Sequence, residues 1–379
     1  MDKWRRTVFA AALCAGLGPF SCGAAHGQTK PRKITLGQSV PLTGVADQIG
    51  LAFAGGSKLY FDSFNANKNN PGWKFELQQM DDGYDPAKAA ANARKLLGDG
   101  ADLLFGFVGT SSSDAGAVVA AKEGALFFAP FGASDRLREP GLPNVFHVRP
   151  SLSDEAFKMV RYCATLGQSR VAVLYENDAM GKAGLEAVQL ALADQHLPPP
   201  VAIASVPVNS DKVDDAVASI SKMRPHVVIQ ASLFRSTAHF IRKMRKAGYA
   251  GGFMNFSVVG IDPLFSALGK EIGGVIISQV VPSPRSSVTP IVKEYLAALD
   301  NSDQAPSYEG LEGYIAAKAL SEAVRRAGRN WDRAALKKVM TGMTDYDIGG
   351  FRINLRAGIR DSIRAIDLVT ITAEGKVVR

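Results

Sequence analysis

The sequence predicts an α/β chain built from doubly wound parallel-sheet units. Three observations predict it. Strand-like and helix-like patterns alternate along most of the chain. Segments such as Asp102-Leu-Leu-Phe-Gly-Phe-Val108 are apolar on both faces, as parallel strands covered on both sides are. A mostly helical block after Pro282-Ser-Pro284 then separates two strand-rich stretches. Simple tandem domains do not produce that order, whereas a chain crossing more than once between two lobes does.

The N-terminus is read first, because it changes the totals. Asp2, Lys3, Arg5 and Arg6 form a charged start, an apolar run follows from Val8 to Phe20, and small residues close it. Ala25 and Gly27 suit the −3 and −1 positions of a cut before Gln28. The expectation is therefore an export signal over residues 1–27. A retained membrane anchor is the competing reading, but Gly16, Gly18 and Pro19 break a run short of the ~20 residues a span needs. A lipoprotein cut before Cys22 and twin-arginine export at Arg5-Arg6 are weaker readings. Loss of the signal removes Cys14 and Cys22 and leaves Cys163 as the single thiol. The signal carries a net +2, so the mature chain keeps +6 of the +8. At ~100–200 residues per domain, 379 residues suit two domains, or three. The charge is dispersed and does not suit nucleic acid. The expected product is soluble and periplasmic.

The mature elements follow in order. Lys33 to Val40 is a strand, and Phe53, Tyr60, Phe61 and Phe64 recur at helical spacing over 46–66. Trp73 to Met80 alternates as a strand. Asp85-Pro86 starts a helix, with Asp as N-cap and Pro at the first helical position, and Gly98 ends it. Asp102 to Val108 is a strand, Ser111 to Glu123 a helix, and Ala125 to Ala129 a strand. The pattern repeats with helix 153–166, strand 170–175, helix 181–196, strand 201–208, helix 211–222, strand 226–230 and helix 235–247. Strands follow at 253–256 and 275–280. The helical block holds 290–299, a long helix capped by Ser307 and stopped by Gly328, and 332–340. Strands return at 351–354 and 364–372.

Enzyme motifs are absent. Gly50 to Lys58 has P-loop-like glycines, but its Lys is misplaced and it lies inside a helix. There is no GxGxxG after the first strand, no HExxH and no GxSxG. His147, His196, His226 and His239 lack metal-ligand spacing. Neither an enzyme nor a metal or cofactor site is expected. Asp81 and Asp82 read as a strand-end pair that holds a loop.

The informative segment is Gly109-Thr-Ser-Ser-Ser113, where an apolar strand gives way to a helix. Hydroxyls and free N–H groups at a positive helix end bind a carboxylate or phosphate. In open α/β sheets ligands bind outside the carboxyl ends of the strands. The competing reading is that one serine only caps the helix. Phe128 to Ser134, Tyr175 to Met180, Ala231 to Arg235 and Asn255 to Ser257 end neighbouring strands and would line the same cleft.

Gln38-Ser-Val-Pro-Leu-Thr-Gly44, Asp81-Asp-Gly-Tyr-Asp-Pro86, Phe105-Gly-Phe-Val-Gly-Thr-Ser-Ser-Ser113, Tyr175-Glu-Asn-Asp-Ala-Met-Gly181 and Gly313-Tyr-Ile-Ala-Ala-Lys-Ala319 occur in that order. In this the chain resembles the leucine/isoleucine/valine-binding family, the type I periplasmic substrate-binding proteins of ABC transporters. The resemblance implies two doubly wound lobes joined by three crossing strands, near 148–152, 280–284 and 346–350. Lobe 1 would be 28–149 plus 283–346, and lobe 2 would be 150–282 plus 347–379. It implies a small carboxylate ligand, ABC permease partners and a monomer. The competing role is a ligand sensor serving a membrane kinase or chemoreceptor.

Carried over residue by residue, the carboxylate falls to Thr110 and Ser111, with Ser112 beside them. Phe131, Ala133 and Ser134 occupy the next loop. Met180, Leu233 and Phe234 stand where closing aromatics are implied. Ser257 stands where an acid would pair with a ligand ammonium, and Ile49 where a Trp would cover the side chain. An unpaired buried ammonium costs several kcal/mol, so the expected ligand is an apolar or aromatic acid rather than an amino acid.

Overall fold

The computed structural model describes residues 31–378 apart from 68–71, 301, 357, 359–360 and 363–364. The expected signal over 1–27 lies outside the described residues.

The chain opens with β1 (Arg32–Val40), α1 (Asp47–Ala66), β2 (Trp73–Asp81), α2 (Pro86–Gly98), β3 (Leu103–Phe105), α3 (Thr110–Lys122), β4 (Phe127–Phe128) and β5 (Val145–Phe146). Their strands form a parallel sheet in the order β2-β1-β3-β4-β5. Leu36 pairs with Leu77 on one side and Leu103 on the other. The start of α2 is built as its sequence requires: the Asp85 carboxylate accepts from the N–H groups of Ala87 and Lys88, with Pro86 following. The strand expected over 102–108 is shorter than its apolar run. At Gly106 the chain turns with φ +57°, where a Cβ would stand 2.6 Å from the Phe53 ring. β5 is not among the expected strands, because two residues carry no readable alternation.

The second unit follows with α4 (Leu152–Thr165), β6 (Val171–Glu176), α5 (Ala179–Asp194), β7 (Ala202–Val206), α6 (Asp214–Lys222), β8 (Val227–Ala231), α7 (Phe234–Lys246), β9 (Gly252–Asn255), α8 (Ile261–Leu268) and β10 (Ile276–Gln279). Ser151 and Asp154 close the first turn of α4 with a reciprocal capping box. The helical block is α9 (Pro290–Leu299), α10 (Tyr308–Ala327) and α11 (Arg333–Gly342). A short hairpin of β11 (Tyr346–Asp347) and β12 (Arg352–Ile353) precedes β13 (Asp367–Ile371) and β14 (Val377–Val378). The second sheet runs β14-β13-β10-β9-β8-β6-β7. Its β6 to β10 are parallel, and β13 and β14 add antiparallel strands at one edge. The two-sheet α/β class expected from the alternation is what forms.

The helical block returns to the first sheet, because α10 packs on α1. Glycines let the two backbones meet. A Cβ on Gly56 would lie 1.9 Å from the Gly310 carbonyl oxygen, and one on Gly313 would lie 2.1 Å from that of Phe53. The P-loop-like glycines therefore sit inside a helix and serve packing. Tyr60, Tyr295 and Tyr314 stack edge to face around this contact.

Gly313→Val should lower stability by about 1–3 kcal/mol through overpacking, read as a lower thermal midpoint. Gly98→Ala, at an exposed helix end with open space around it, should leave the midpoint unchanged or raise it. Equal midpoints for the two variants would contradict the close approach.

Candidate functional site

The loops at the carboxyl ends of both sheets face one another across a cleft. Two acids shape the loops of the first lobe. Asp81 accepts from Leu42 N (2.8 Å), Thr43 Oγ1 (2.6 Å) and Gly83 N (2.9 Å). Asp82 accepts from Ser39 Oγ (2.8 Å) and Tyr84 N (2.9 Å). The pair holds loops, as its position at a strand end predicts. Burial raises the Asp82 carboxyl to about 6.

Their product is the placement of Tyr84, whose backbone is left-handed at φ +67°. Its ring lies against Gly109, where a Cβ would come within 2.6 Å of the ring. Gly109 itself has φ +103° and is the N-cap of α3. Among the described residues no side chain caps this helix. Ser113 Oγ donates instead to Phe107 O (3.1 Å), and Ser112 Oγ is buried without a partner among the described residues. The first N–H groups of α3 therefore lack acceptors within the helix. The reading in which a serine of this run only caps the helix does not hold.

A small space of about 20 Å³ lies at this helix end. From the first lobe it is walled by Ala46, Ile49, Tyr84, Val108, Thr110 and Phe131. From the second it is walled by Met180, Leu233 and Val258. The lining is apolar apart from the Tyr84 and Thr110 hydroxyls and backbone at Gly109.

Among the residues singled out from the sequence, Ile49, Thr110, Phe131, Met180 and Leu233 meet at this space. The others lie near it but outside its wall. Ser111 is half-buried, Ser112 is buried in the first turn of α3, and Phe234 is half-buried at the start of α7. Ala133 is buried, and its carbonyl accepts from Leu152 N (2.8 Å). Ser134 is occupied in capping a short 3₁₀ turn, accepting from Arg136 N (3.3 Å). Ser257 Oγ accepts from Arg149 Nη2 (2.6 Å) and donates to Glu155 Oε1 (3.1 Å). Sequence reasoning missed Tyr84, Ala46, Val258 and Arg149. Only the Asp-Gly-Tyr turn signal before α2 could have drawn attention to Tyr84.

Polar ties cross the cleft. Tyr84 Oη donates to Asp178 Oδ2 (3.4 Å), and Asn209 Nδ2 donates to Val45 O (2.6 Å). Behind them lies Glu176, fully buried, accepting from Asn209 N (2.7 Å) and Ser236 Oγ (2.8 Å) on one oxygen. Its other oxygen has no hydrogen-bond partner among the described residues, and desolvation raises the carboxyl to about 7. At the base of the cleft, Arg149 is buried between Glu155 of α4 and Glu312 of α10.

A family model described as periplasmic binding protein matches residues 33–376. The chain belongs to the periplasmic binding protein family. Leu/Ile/Val-binding protein homolog 3 of Brucella melitensis is 24% identical over 310 residues, which cover 81% of this chain and 83% of that one. A substrate-binding periplasmic protein of Ralstonia solanacearum superposes with a TM-score of 0.83 at 29% identity, covering 91% of this chain and 99% of that one. A possible leucine/isoleucine/valine-binding protein of Rhodopirellula baltica gives 0.85 at 25% identity, covering 92% and 97%. As a member of this family the chain is a periplasmic solute-binding protein of the Leu/Ile/Val-binding-protein type. The type I periplasmic-binding fold and the family resemblance drawn from its motifs both hold.

Glu176 makes stability depend on pH. Its folded pKa of about 7 lies above the ordinary 4.5, so the folded chain keeps a proton that the unfolded chain releases. The associated stability is present below about pH 4.5 and is lost as pH rises toward 7. Glu176→Gln keeps the accepting oxygen and removes the charge. The drop in thermal midpoint between pH 5 and pH 8 should shrink in this variant. An unchanged drop would count against a buried, proton-holding Glu176.

Proposed function

We propose that this binding protein captures a small carboxylate with an apolar or aromatic body and delivers it to an ABC permease. The chain would act in the periplasm as a monomer, after cleavage of its N-terminal signal. Two lobes, 28–149 with 283–346 and 150–282 with 347–379, would close on the ligand by hinge motion about three crossings. Catalysis has no part in this reading.

The observation that carries it is the uncapped N-terminus of α3 opening on an apolar space. Free N–H groups, the Thr110 hydroxyl and the helix dipole suit a carboxylate without a cation. Ser111 and the orphaned Ser112 hydroxyl add donors within the same turn. Phe131, Met180 and Leu233 suit an apolar body, and Phe234, Ala133 and Ser134 stand in the same loops. The position where an ammonium partner is implied carries Ser257, already committed to Arg149 and Glu155. Burying an ammonium without a partner costs several kcal/mol, so zwitterionic amino acids are disfavoured.

A thermal-shift and calorimetry panel tests this. An aliphatic or aromatic acid at 100 times its Kd should stabilise the protein by about 2.7 kcal/mol, while leucine should not. Thr110→Val should weaken acid binding about tenfold or more, the worth of a hydrogen bond to a charged group. Tight leucine binding with no response to aliphatic or aromatic acids would sink the proposal.

A further inference from the structure

The space at the start of α3 is smaller than the ligand it is read to hold. Its volume is about 20 Å³, room for about one water. A cavity that takes a single benzene ring has about 150 Å³. The walls come from the loops of both sheets, and Ile49, Phe131, Met180 and Leu233 among them are buried. Closely packed walls of this kind have little local give. An aliphatic or aromatic acid therefore enters only as the facing walls part, and whatever ties them together opposes it.

Two hydrogen bonds tie wall to wall. Tyr84 Oη donates to Asp178 Oδ2 (3.4 Å). Tyr84 is itself a wall, and Asp178 is the N-cap of α5, its other oxygen accepting from Gly181 N (2.8 Å). Met180, a wall on the opposite side, stands in that capped turn. The second bond runs from Asn209 Nδ2 to Val45 O (2.6 Å), one residue before the wall residue Ala46. On its other side Asn209 Oδ1 accepts from Arg235 N (2.9 Å) in the first turn of α7, two residues beyond the wall residue Leu233.

Both side chains are set in place from behind. Tyr84 N donates to Asp82 Oδ1 (2.9 Å), and the Tyr84 ring lies against Gly109. Asn209 N donates to Glu176 Oε1 (2.7 Å), and its backbone is left-handed at φ +43°, which asparagine tolerates. Neither bond uses the uncapped N–H groups of α3 or the Thr110 hydroxyl. The space is held shut by contacts that leave its anion-binding groups out.

We propose that the Tyr84–Asp178 and Asn209–Val45 hydrogen bonds form an autoinhibitory latch. They hold the walls of the site against one another, and ligand binds only the population in which they are broken. This rests on the carboxylate reading above and adds what limits its affinity. Apparent affinity falls with the fraction of unlatched molecules, so weakening the latch tightens binding through faster association.

Two variants separate the latch from the wall. Tyr84→Phe keeps the ring and removes the hydroxyl. Asn209→Asp keeps an acceptor for Arg235 N and loses the donor to Val45 O, and Asn209 is not a wall of the space. Calorimetry and stopped-flow binding on the purified exported protein use 4-methylpentanoate and 3-phenylpropanoate as probes. Each variant should bind at least one of these acids about threefold or more tighter than the wild type, with the gain in the association rate. A purely structural role for either residue would weaken binding instead. In parallel, spin labels at Val118→Cys and Leu190→Cys, exposed positions on α3 and α5, report the separation across the cleft with no acid added. Adding Tyr84→Phe and Asn209→Asp together should lengthen that distance. An unchanged distance, or binding that is unchanged or weaker in both variants, overturns the latch. Labels that move apart while neither acid binds any of the proteins uphold the latch and sink the carboxylate reading.

Discussion

The molecule depends on one buried charge at the seam between its lobes. A guanidinium taken out of water must be matched from every side, or it costs several kcal/mol. Arg149 is matched by Glu312 on α10 of the first lobe and by Glu155 and Ser257 of the second. Its backbone carbonyl is held as well, by the Arg138 guanidinium (2.6 Å). The segment that leaves the first sheet after β5 is thereby fixed to both lobes at once. The Phe131 ring at the candidate site leans on the same group. The cleft base and the Phe131 side of the candidate site share this single requirement for neutralisation.

That arrangement needs α10 to lie against the first sheet although it follows the whole second sheet in sequence. Close packing at the glycine contacts of α1 and α10 makes this possible, because a methyl group at Gly56 or Gly313 would overlap a carbonyl. Glu309 and Glu312 ride on the same helix. Burial raises both to about 7. The cleft rim behaves alike: burial raises the Asp178 carboxyl, which accepts from Tyr84.

Much of the candidate site was legible in the chain. The Gly109–Ser113 run announces an uncapped helix end because glycine precedes it and an apolar strand leads into it. Phe131, Met180 and Leu233 follow strand ends, and parallel sheets gather strand ends at one edge. Ser134 and Ser257 were legible only as polar residues in the right loops. Their hydroxyls are engaged by Arg136 N and Arg149, partners that no local pattern names. Tyr84 was missed as a wall because its left-handed backbone, set by Asp82, turns the ring toward Gly109.

By itself the sequence determined the alternation of strands and helices, the caps at Asp85 and Ser307, and the glycine-led, hydroxyl-rich start of α3. These are local: each is decided by neighbours a few residues away through backbone hydrogen bonding and side-chain period. Only the tertiary structure decided which residues close the space. Tyr84 meets Asp178 across 94 positions, and Arg149 meets Ser257 across 108. Such pairs depend on sheet order and on how closely two lobes approach, and no periodicity in a single chain encodes either.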